Sequence, residues 1–218
     1  MKTSSRYASV DILLTHPIRT TQLALQHFLA SRKEKGTASP KSVIHVSSIA
    51  GQVTPFHAPI YNAAKHGING FVRSLALLDE RLGIRVTAVA PGLIRTPMWT
   101  EDPEKLRLIS QDHEWVTAED VANVMTSLVE NESVEVGASG ARRIGSDVGG
   151  LGTGDSREGT KAVEVKGGMI VEVANGKTRV VEQFNDPGPS GEGNTLSNIG
   201  VAYEEIFVRL ECGVWGGE

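Results

Sequence analysis

Three side chains in the first third of the chain could carry out acid–base chemistry together: Ser48, Tyr61 and Lys65. A phenol has an unperturbed pKa of about 10 and is a weak acid or base at neutral pH, but a nearby lysine ammonium favours the phenolate and lowers that pKa. The phenol can then exchange a proton with an alcohol or ketone oxygen, while a serine hydroxyl holds the same oxygen by a hydrogen bond. These residue types therefore indicate proton transfer that accompanies a hydride transfer from a cofactor.

The elements around these residues would bring them together. A short β-branched run from Val43 to Val46 predicts a buried parallel strand, and Ser48 follows at its carboxyl end, where open α/β sheets bind ligands. Tyr61 and Lys65 are four residues apart near the start of a predicted helix, so they share one helix face. A tyrosine and a lysine at this spacing often occur by chance, and Ser48 alone could cap a strand or loop. The combination after a strand and before a long helix is far more specific.

The periodicity of the chain predicts several further elements. A helix over Val10 to Lys33 contains Pro17, which should kink it or mark its true start. A second helix, from about Ile60 to Leu82, has an apolar stripe with steps of four and three residues. Gly83 lies just past that helix, and a buried strand is predicted over Ile84 to Ala90. A substrate lid is predicted over Met98 to Trp115, with Asp102 capping a helix that begins at Pro103. The remaining predicted elements are a helix over Ala118 to Glu130 capped by Thr117, a last strand over Gly168 to Ala174 and a terminal helix over Ile199 to Leu210.

Three stretches of the sequence resemble the short-chain dehydrogenase/reductase family. They read SSIAG, YNAAKHGINGFVRSLALL and IRVTAVAPGLIRTPM. The resemblance covers about Val10 to Glu130 and begins again near Gly168. Within the family, the sequence is similar to the hydroxyprostaglandin-dehydrogenase-like branch. The resemblance implies an α/β fold with a doubly wound, Rossmann-like parallel sheet, of which this chain holds the C-terminal half only.

The same resemblance assigns roles to particular residues. Tyr61 is implied as the catalytic acid/base, Lys65 as its activating partner and a ribose ligand, and Ser48 as the donor to the substrate oxygen. The stretch PGLIRT resembles the family's loop on the nicotinamide side of the cofactor. The implied cofactor-binding residues are Tyr61, Lys65, Pro91, Gly92, Ile94 and Thr96. The implied activity is the NAD- or NADP-dependent interconversion of a secondary alcohol and a ketone, with a small-molecule substrate.

The sequence departs from the family at two places. An asparagine that steadies a water molecule in the family's proton relay is replaced by Leu13, which cannot hydrogen-bond a water. The sequence also contains no strand, glycine-rich turn and helix of the kind that cradles a cofactor pyrophosphate. Met1 is therefore expected to fall just before the family's fourth helix, with roughly the first hundred residues of such a domain absent.

The composition changes between Ser133 and Lys166, where glycine is frequent and large apolar residues are few. Such a segment cannot bury enough surface to offset its ordering entropy, and its glycines do not follow the dinucleotide-binding fingerprint. We expect residues 1–132 to be the C-terminal part of a nucleotide-binding domain, 133–167 a flexible glycine-rich insertion, and 168–218 the last strand and the tail of the same domain.

Composition excludes several classes of function. The formal net charge is −4 and no basic run is present, so no nucleic-acid partner is expected. Cys212 is the single cysteine, which fits a reducing compartment such as the cytoplasm. No apolar run approaches the ~20 residues of a membrane span, and no signal peptide is recognisable, so no membrane association is expected. His16 and His27 lack partners at metal-ligand spacing, so no metal site is predicted.

Three functional hypotheses remain open at the level of sequence. The first is an oxidoreductase, which the resemblance implies to be a homo-oligomer with a dimer face on the two long helices. The second is an inactive, truncated remnant that acts only through that helix-pair surface. The third is a binding module that uses the glycine-rich segment. The Ser–Tyr–Lys set favours ancestry in the first class, whereas Leu13 and the missing pyrophosphate cradle favour loss of activity.

Overall fold

The computed structural model of the protein describes residues 7–35, 39–137, 160–174, 177–183 and 199–212. A π-helical turn spans Asp11–Thr15, and a 3-10 turn spans Ile49–Gly51. The helices of the described residues are α1 (Ala8–Val10), α2 (His16–Lys35), α3 (Pro59–Ser74), α4 (Leu77–Leu82), α5 (Pro97–Thr100), α6 (Pro103–Leu106), α7 (Ala118–Glu130) and α8 (Ile199–Glu211). The strands are β1 (Lys41–Val46), β2 (Ile84–Pro91), β3 (Ser133–Gly137), β4 (Thr160–Glu164), β5 (Ile170–Ala174) and β6 (Lys177–Val180).

A four-stranded sheet in the order β1-β2-β5-β6 organises the fold. Strands β1, β2 and β5 run parallel, and β6 returns antiparallel along β5. The parallel strands follow one another through helical segments, as α/β folds require. Apolar residues pack against both faces of the sheet, so the predicted doubly wound α/β architecture is confirmed. Among the described strands, β1 has a neighbour on one side only.

Each face of the sheet has its own hydrophobic core. One core joins α2, α3, α4 and α8 to the sheet, with Leu25, Ile68, Val72 and Val86 at its centre. The other joins α7 and the β3–β4 ladder to the opposite face, through side chains such as Leu128 and Val171. Strand β2 lies between the two cores, and its residues from Val86 to Pro91 are all buried. A strand that is apolar on both faces is typical of the centre of a parallel sheet.

The strand β1 is less buried than its β-branched run predicts. It pairs with β2 in register from Lys41↔Ile84 to Val46↔Val89. Val43 and Ile44 are only partly buried, however, and Val46 is 51% exposed. The buried residue of the strand is His45, at 7% exposure. The open side of β1 is the physical reason, because no described strand covers it.

The second long helix is confirmed, but it has a break. Ile68 and Leu78 of the predicted apolar stripe are buried, and Leu75 and Leu82 pack at the edge of the same core. Between α3 and α4 the chain tightens, since the amides of Leu75 and Ala76 each bond a carbonyl three residues back. The turn before β5 packs here: a Cβ on Gly168, whose φ is +80°, would meet the Ala76 Cβ at 2.8 Å.

The first helical segment contains the predicted irregularity at Pro17. A π-helical turn precedes α2, and Pro17 is the second residue of α2. Proline has no N–H to offer the carbonyl of Leu13, which would be its partner in a regular helix. The N–H of His16 instead bonds Asp11 O, five residues back. Leu13, which stands in place of the family's relay asparagine, therefore lies inside a widened helical turn. Widened turns of this kind often occur next to a proline.

The ends of the predicted flexible insertion are ordered strands, and this part of the expectation is wrong. Strands β3 and β4 form an antiparallel ladder from Ser133↔Glu164 to Gly137↔Thr160. Val134 and Val136 are 4% and 5% exposed, because alternate residues of β3 face the second core. The apolar residues at every second position outweigh the low overall hydrophobicity of the segment. Its glycine-rich centre, residues 138–159, lies outside the described residues.

The predicted roles of Thr117, Asp102 and Gly83 at helix ends are confirmed. Thr117 and Asp120 form a complete capping box at the start of α7, which ends at Glu130 as predicted. Asp102 caps α6 through its side chain, and Gly83 ends α4 with a left-handed φ of +65°. Within the part of the chain that the structure describes, none of the helices combines the length and the apolar character that crossing a bilayer would require.

Candidate active site

Ser48 lies two residues beyond the end of β1 and begins a turn that packs on helix α3. Its Oγ accepts a hydrogen bond from the Ala50 N–H at 3.2 Å, so Ser48 is the N-cap of the 3-10 turn. The Gly51 N–H bonds the Ser48 carbonyl at 2.9 Å and closes the same turn. The side chain and the carbonyl of Ser48 are therefore both bonded within this turn, at the carboxyl end of β1.

Tyr61 and Lys65 occupy one face of α3, one turn apart. The Lys65 Nζ lies 5.6 Å from the centroid of the Tyr61 ring, within the range of a cation–π contact. Lys65 is 7% exposed, whereas Tyr61 is 37% exposed. The phenol can thus meet a substrate from solvent while the ammonium beside it is screened from water. A charge in such a poorly solvated place acts more strongly on its neighbours than a charge in bulk water does.

The Lys65 ammonium is held against the end of β1. Its Nζ donates to the Val46 carbonyl at 2.8 Å. The N–H of Ser47 donates to Val89 O of β2. Because the N–H and C=O of one peptide group point in opposite directions, the Val46 carbonyl faces the open side of β1. Burial lowers the pKa of Lys65. An ammonium has three N–H donors, and the bond to Val46 takes one of them.

The loop after β2 carries the remaining predicted cofactor residues. Pro91 is the last residue of β2 and is buried beside Val173, and the Gly92 N–H bonds Val173 O at 2.9 Å. Ile94 forms a parallel β-bridge with Val116, in which the Arg95 N–H donates to Val116 O and the Val116 N–H donates to Leu93 O. The N–H and C=O of Ile94 itself therefore face away from Val116. Thr96 precedes α5, and its hydroxyl makes no capping bond to that helix.

The two predicted groups of residues end at the same edge of the sheet. Val46 pairs with Val89 in parallel register, so Ser48 and the loop from Pro91 both leave the sheet at its carboxyl edge. The predicted lid, from Met98 to Trp115, follows that loop. Met98, at the start of the lid, is 64% exposed, so its side chain does not cover the core. Val116, in contrast, is 3% exposed and anchors the end of the lid beside Ile94.

A buried polar group next to Lys65 escaped the sequence analysis. His45 Nε2 lies 3.0 Å from Thr21 Oγ1, and its ring packs edge-on against Phe71. Burial, and next the Lys65 ammonium, lower the pKa of His45. A lone histidine inside a β-branched run gives no signal of its own. His45 lies two residues after Val43, so the two side chains share the face of β1 that the helices cover. This spacing of two is the pattern that could have predicted its burial.

Asn69 is the other residue that the sequence analysis missed. It lies on α3 at Lys65+4 and Tyr61+8, on the same helix face. Its side chain bonds both Ser47 and Gly51, on the two sides of Ser48. The repeated spacing of four was the available signal, but an asparagine there could equally have faced solvent. Among the described residues, no group of three or more His, Cys, Asp or Glu side chains has the arrangement of a metal site.

A family model and several curated proteins match parts of this chain. Residues 2–107 match the family model described as short chain dehydrogenase. The 15-hydroxyprostaglandin dehydrogenase [NAD(+)] of Rattus norvegicus is 26% identical over 140 residues, which cover 58% of this chain and 51% of the rat protein. The L-fucose dehydrogenase of the same species is 38% identical over 80 residues, covering 37% of this chain and 27% of the relative.

A solved structure shows a similar partial match. The 3-hydroxyacyl-CoA dehydrogenase type-2 from Mycobacterium avium aligns with a TM-score of 0.46 at 24% identity, covering 56% of this chain and 49% of that one. The chain spans about half the length, or less, of the curated relatives that it matches. The residues that the family model matches, 2–107, include Ser48, Tyr61, Lys65 and the loop from Pro91. Over residues 2–107, the chain belongs to the short-chain dehydrogenase/reductase family.

Proposed function

We propose that this chain supplies the proton-transfer half of an NAD- or NADP-dependent oxidoreductase that interconverts a secondary alcohol and a ketone. The observation that carries the proposal is the buried Lys65 ammonium beside the Tyr61 ring, at the carboxyl edge of a parallel sheet. A core lysine in a purely structural role would normally pair with a carboxylate. Lys65 instead contacts a carbonyl and a half-exposed phenol.

In the reduction of a ketone, Tyr61 donates its phenolic proton to the carbonyl oxygen. Ser48 donates a hydrogen bond to the same oxygen, which holds the carbonyl in place while negative charge develops on it. The Lys65 ammonium stabilises the phenolate that remains on Tyr61. A nicotinamide cofactor, when bound, supplies the hydride to the carbonyl carbon. In the reverse direction, the phenolate takes the proton of the alcohol, so both directions use the same three side chains.

The residues of this chain suit the nicotinamide and ribose side of such a cofactor. Lys65 has donors beyond its bond to Val46 and lies beside Tyr61, where the two could hold ribose hydroxyls. The N–H and C=O of Ile94 face away from Val116, and the Thr96 hydroxyl does not cap α5. These groups match the donors and acceptors of a carboxamide. Pro91 and Gly92 end the strand and direct the loop there.

The pyrophosphate side is different. The described residues contain no glycine-rich turn between a strand and a long helix, which is the usual pyrophosphate site in such folds. Binding of a whole dinucleotide is therefore expected to need groups beyond those described. Leu13, which cannot hold a relay water, bears on the rate of proton exchange with solvent rather than on the proton transfer from Tyr61.

The proposal includes a small-molecule alcohol or ketone as substrate, a homo-oligomeric state and a cytoplasmic location. The net charge of −4 and the lack of a basic run argue against nucleic acid as a partner. The alternative of a chain that acts only through its helix pair is not favoured, because that function needs no ammonium buried beside a tyrosine.

Exchange of the Tyr61 phenol tests the proposal. The dinucleotide-binding half of a full-length relative is fused ahead of Met1, and oxidation of NADH and NADPH is followed with a panel of ketones. Tyr61→Phe should lower kcat by a factor of 100 or more, because the transferred proton is gone. Tyr203→Phe is the matched control, since Tyr203 is 41% exposed and lies on α8, away from the site. Equal activity of the two variants, or a wild-type fusion without activity on any ketone, would count against the proposed function.

A further inference from the structure

A buried amide on α3 joins the two sides of the turn that carries Ser48. The Asn69 side chain accepts a hydrogen bond from Ser47 Oγ at 2.6 Å through its Oδ1. Its Nδ2 donates to the Gly51 carbonyl at 2.8 Å. Asn69 and Ser47 are 2% and 3% exposed, so both bonds are shielded from water. One side chain thus fixes the residue before Ser48 and the end of the turn after it.

We infer that Asn69 is a positioning residue, which holds the Ser48 hydroxyl in register with Tyr61 and Lys65. The inference rests on the proposed function of those three residues. Tyr61, Lys65 and Asn69 follow one another at intervals of four on α3, so the helix that carries the acid/base also carries the anchor for the Ser48 turn. Ser48 and Tyr61 then move as one body, although a loop of several residues separates them in the chain.

The packing around the anchor leaves little freedom for the turn. A Cβ on Gly51 would meet Asn69 Nδ2 at 2.5 Å and the Lys65 carbonyl at 2.9 Å. The backbone of Gly51 therefore lies directly on the α3 backbone at Lys65. Reacting groups must be held within fractions of an ångström, because a misplacement of 1 Å can cost about 100-fold in rate. The contact at Gly51 and the two hydrogen bonds of Asn69 supply such a constraint.

Packing alone does not explain why residue 69 is an asparagine. An apolar side chain such as leucine would pack in a buried position at lower desolvation cost, but it would leave the Ser47 hydroxyl and the Gly51 carbonyl without their partner. Both polar ends of Asn69 are satisfied by groups that flank Ser48. The arrangement is specific to the position of the Ser48 turn, since both hydrogen bonds of the Asn69 side chain go to Ser47 and Gly51, the residues on either side of it among those that the structure describes.

Amide hydrogen exchange on the isolated chain tests this inference without cofactor or substrate. In Asn69→Leu, the Ala50 and Gly51 amides, which bond Ser48 in the wild type, should exchange at least tenfold faster than the loss of global stability accounts for. Ser47→Ala, a milder change, should accelerate the same amides in the same direction. Asn62→Leu is the matched control, because Asn62 is also a buried asparagine of α3 but its Nδ2 bonds Pro55 O.

The result that would overturn the inference is equal protection of Ala50 and Gly51 in Asn69→Leu and Asn62→Leu at matched global stability. A kinetic test is made on the protein used for Tyr61→Phe. If Asn69 acts through Ser48, Asn69→Leu should lower kcat with little change in the cofactor KM, and should add no further loss in a Ser48→Ala background. Full additivity with Ser48→Ala would contradict it. Failure of the proposed function would show instead as equal rates for Tyr61→Phe and Tyr203→Phe, whatever the exchange data show.

Discussion

Replacement of Gly51 by alanine tests the close contact on which the site geometry depends. The added Cβ would lie 2.9 Å from the Lys65 carbonyl and 2.5 Å from Asn69 Nδ2. The Lys65 carbonyl belongs to the middle of α3 and cannot retreat, and the Asn69 amide is held by Ser47. The 3-10 turn must therefore move away from α3, and the bond from Asn69 to the Gly51 carbonyl, 2.8 Å long, is lengthened or lost.

The cost follows from these two effects. Overpacking of a tight site costs about 1–3 kcal/mol, and the loss of a buried hydrogen bond adds about 0.5–1.5 kcal/mol. Gly51 does not have a positive φ, so alanine also gains about 0.4–1 kcal/mol by restricting the unfolded chain. We expect Gly51→Ala to lower the free energy of unfolding by about 2 kcal/mol, which is roughly 4–8 °C in Tm for a chain of this size.

Gly70 offers the same substitution with the opposite expectation. It is an exposed residue inside α3, and a Cβ there would meet no atom within 4 Å. Gly70→Ala should therefore raise the free energy of unfolding by up to about 1 kcal/mol through helix propensity. Urea and thermal unfolding of the wild type and both variants would measure the two shifts. The reasoning is refuted if Gly51→Ala is as stable as the wild type while Gly70→Ala gains stability as expected.

Three further predictions concern the cofactor, the buried histidine and the open strand edge. Without a described pyrophosphate cradle, the 218-residue chain should bind NADH far more weakly than a full-length relative, and micromolar binding by calorimetry would contradict this. Burial and the Lys65 ammonium lower the pKa of His45 below its ordinary 6.5. At a pH between the pKa of the folded state and 6.5, His45 takes up a proton when the chain unfolds. The free energy of unfolding therefore falls as the pH drops through that window. The slope from one such group is at most about 1.4 kcal/mol per pH unit, and His45→Gln should remove it from the unfolding free energy measured between pH 7 and pH 5. Unchanged pH dependence in the variant would show that His45 is not the group responsible. The one-sided pairing of β1 and the 51% exposure of Val46 predict self-association of the isolated chain. Val46→Glu should reduce this association in size-exclusion chromatography with light scattering, whereas a clean wild-type monomer would show that the edge is protected in another way.

Features set by neighbouring residues were accessible from the sequence. The four-residue spacing of Tyr61 and Lys65 places them on one helix face in any context, and the structure has them there. The helix cap at Thr117 and the helix end at Gly83 depend on groups within one turn of the chain, so their positions were predicted correctly. The β-branched run before Ser48 likewise determined a strand and its carboxyl end.

Features that join distant residues were decided by the tertiary structure alone. The bonds of Asn69 to Ser47 and Gly51 exist only because α3 packs back across the end of β1. The ordering of β3 and β4 depends on a partner strand beyond residues 138–159 and on the core beneath both, so composition alone suggested flexibility. The exposure of Val46 depends on the neighbours of β1 in the sheet, which no local pattern records. Local propensities fix conformation within a few residues, whereas burial and long-range hydrogen bonds depend on which elements meet in space.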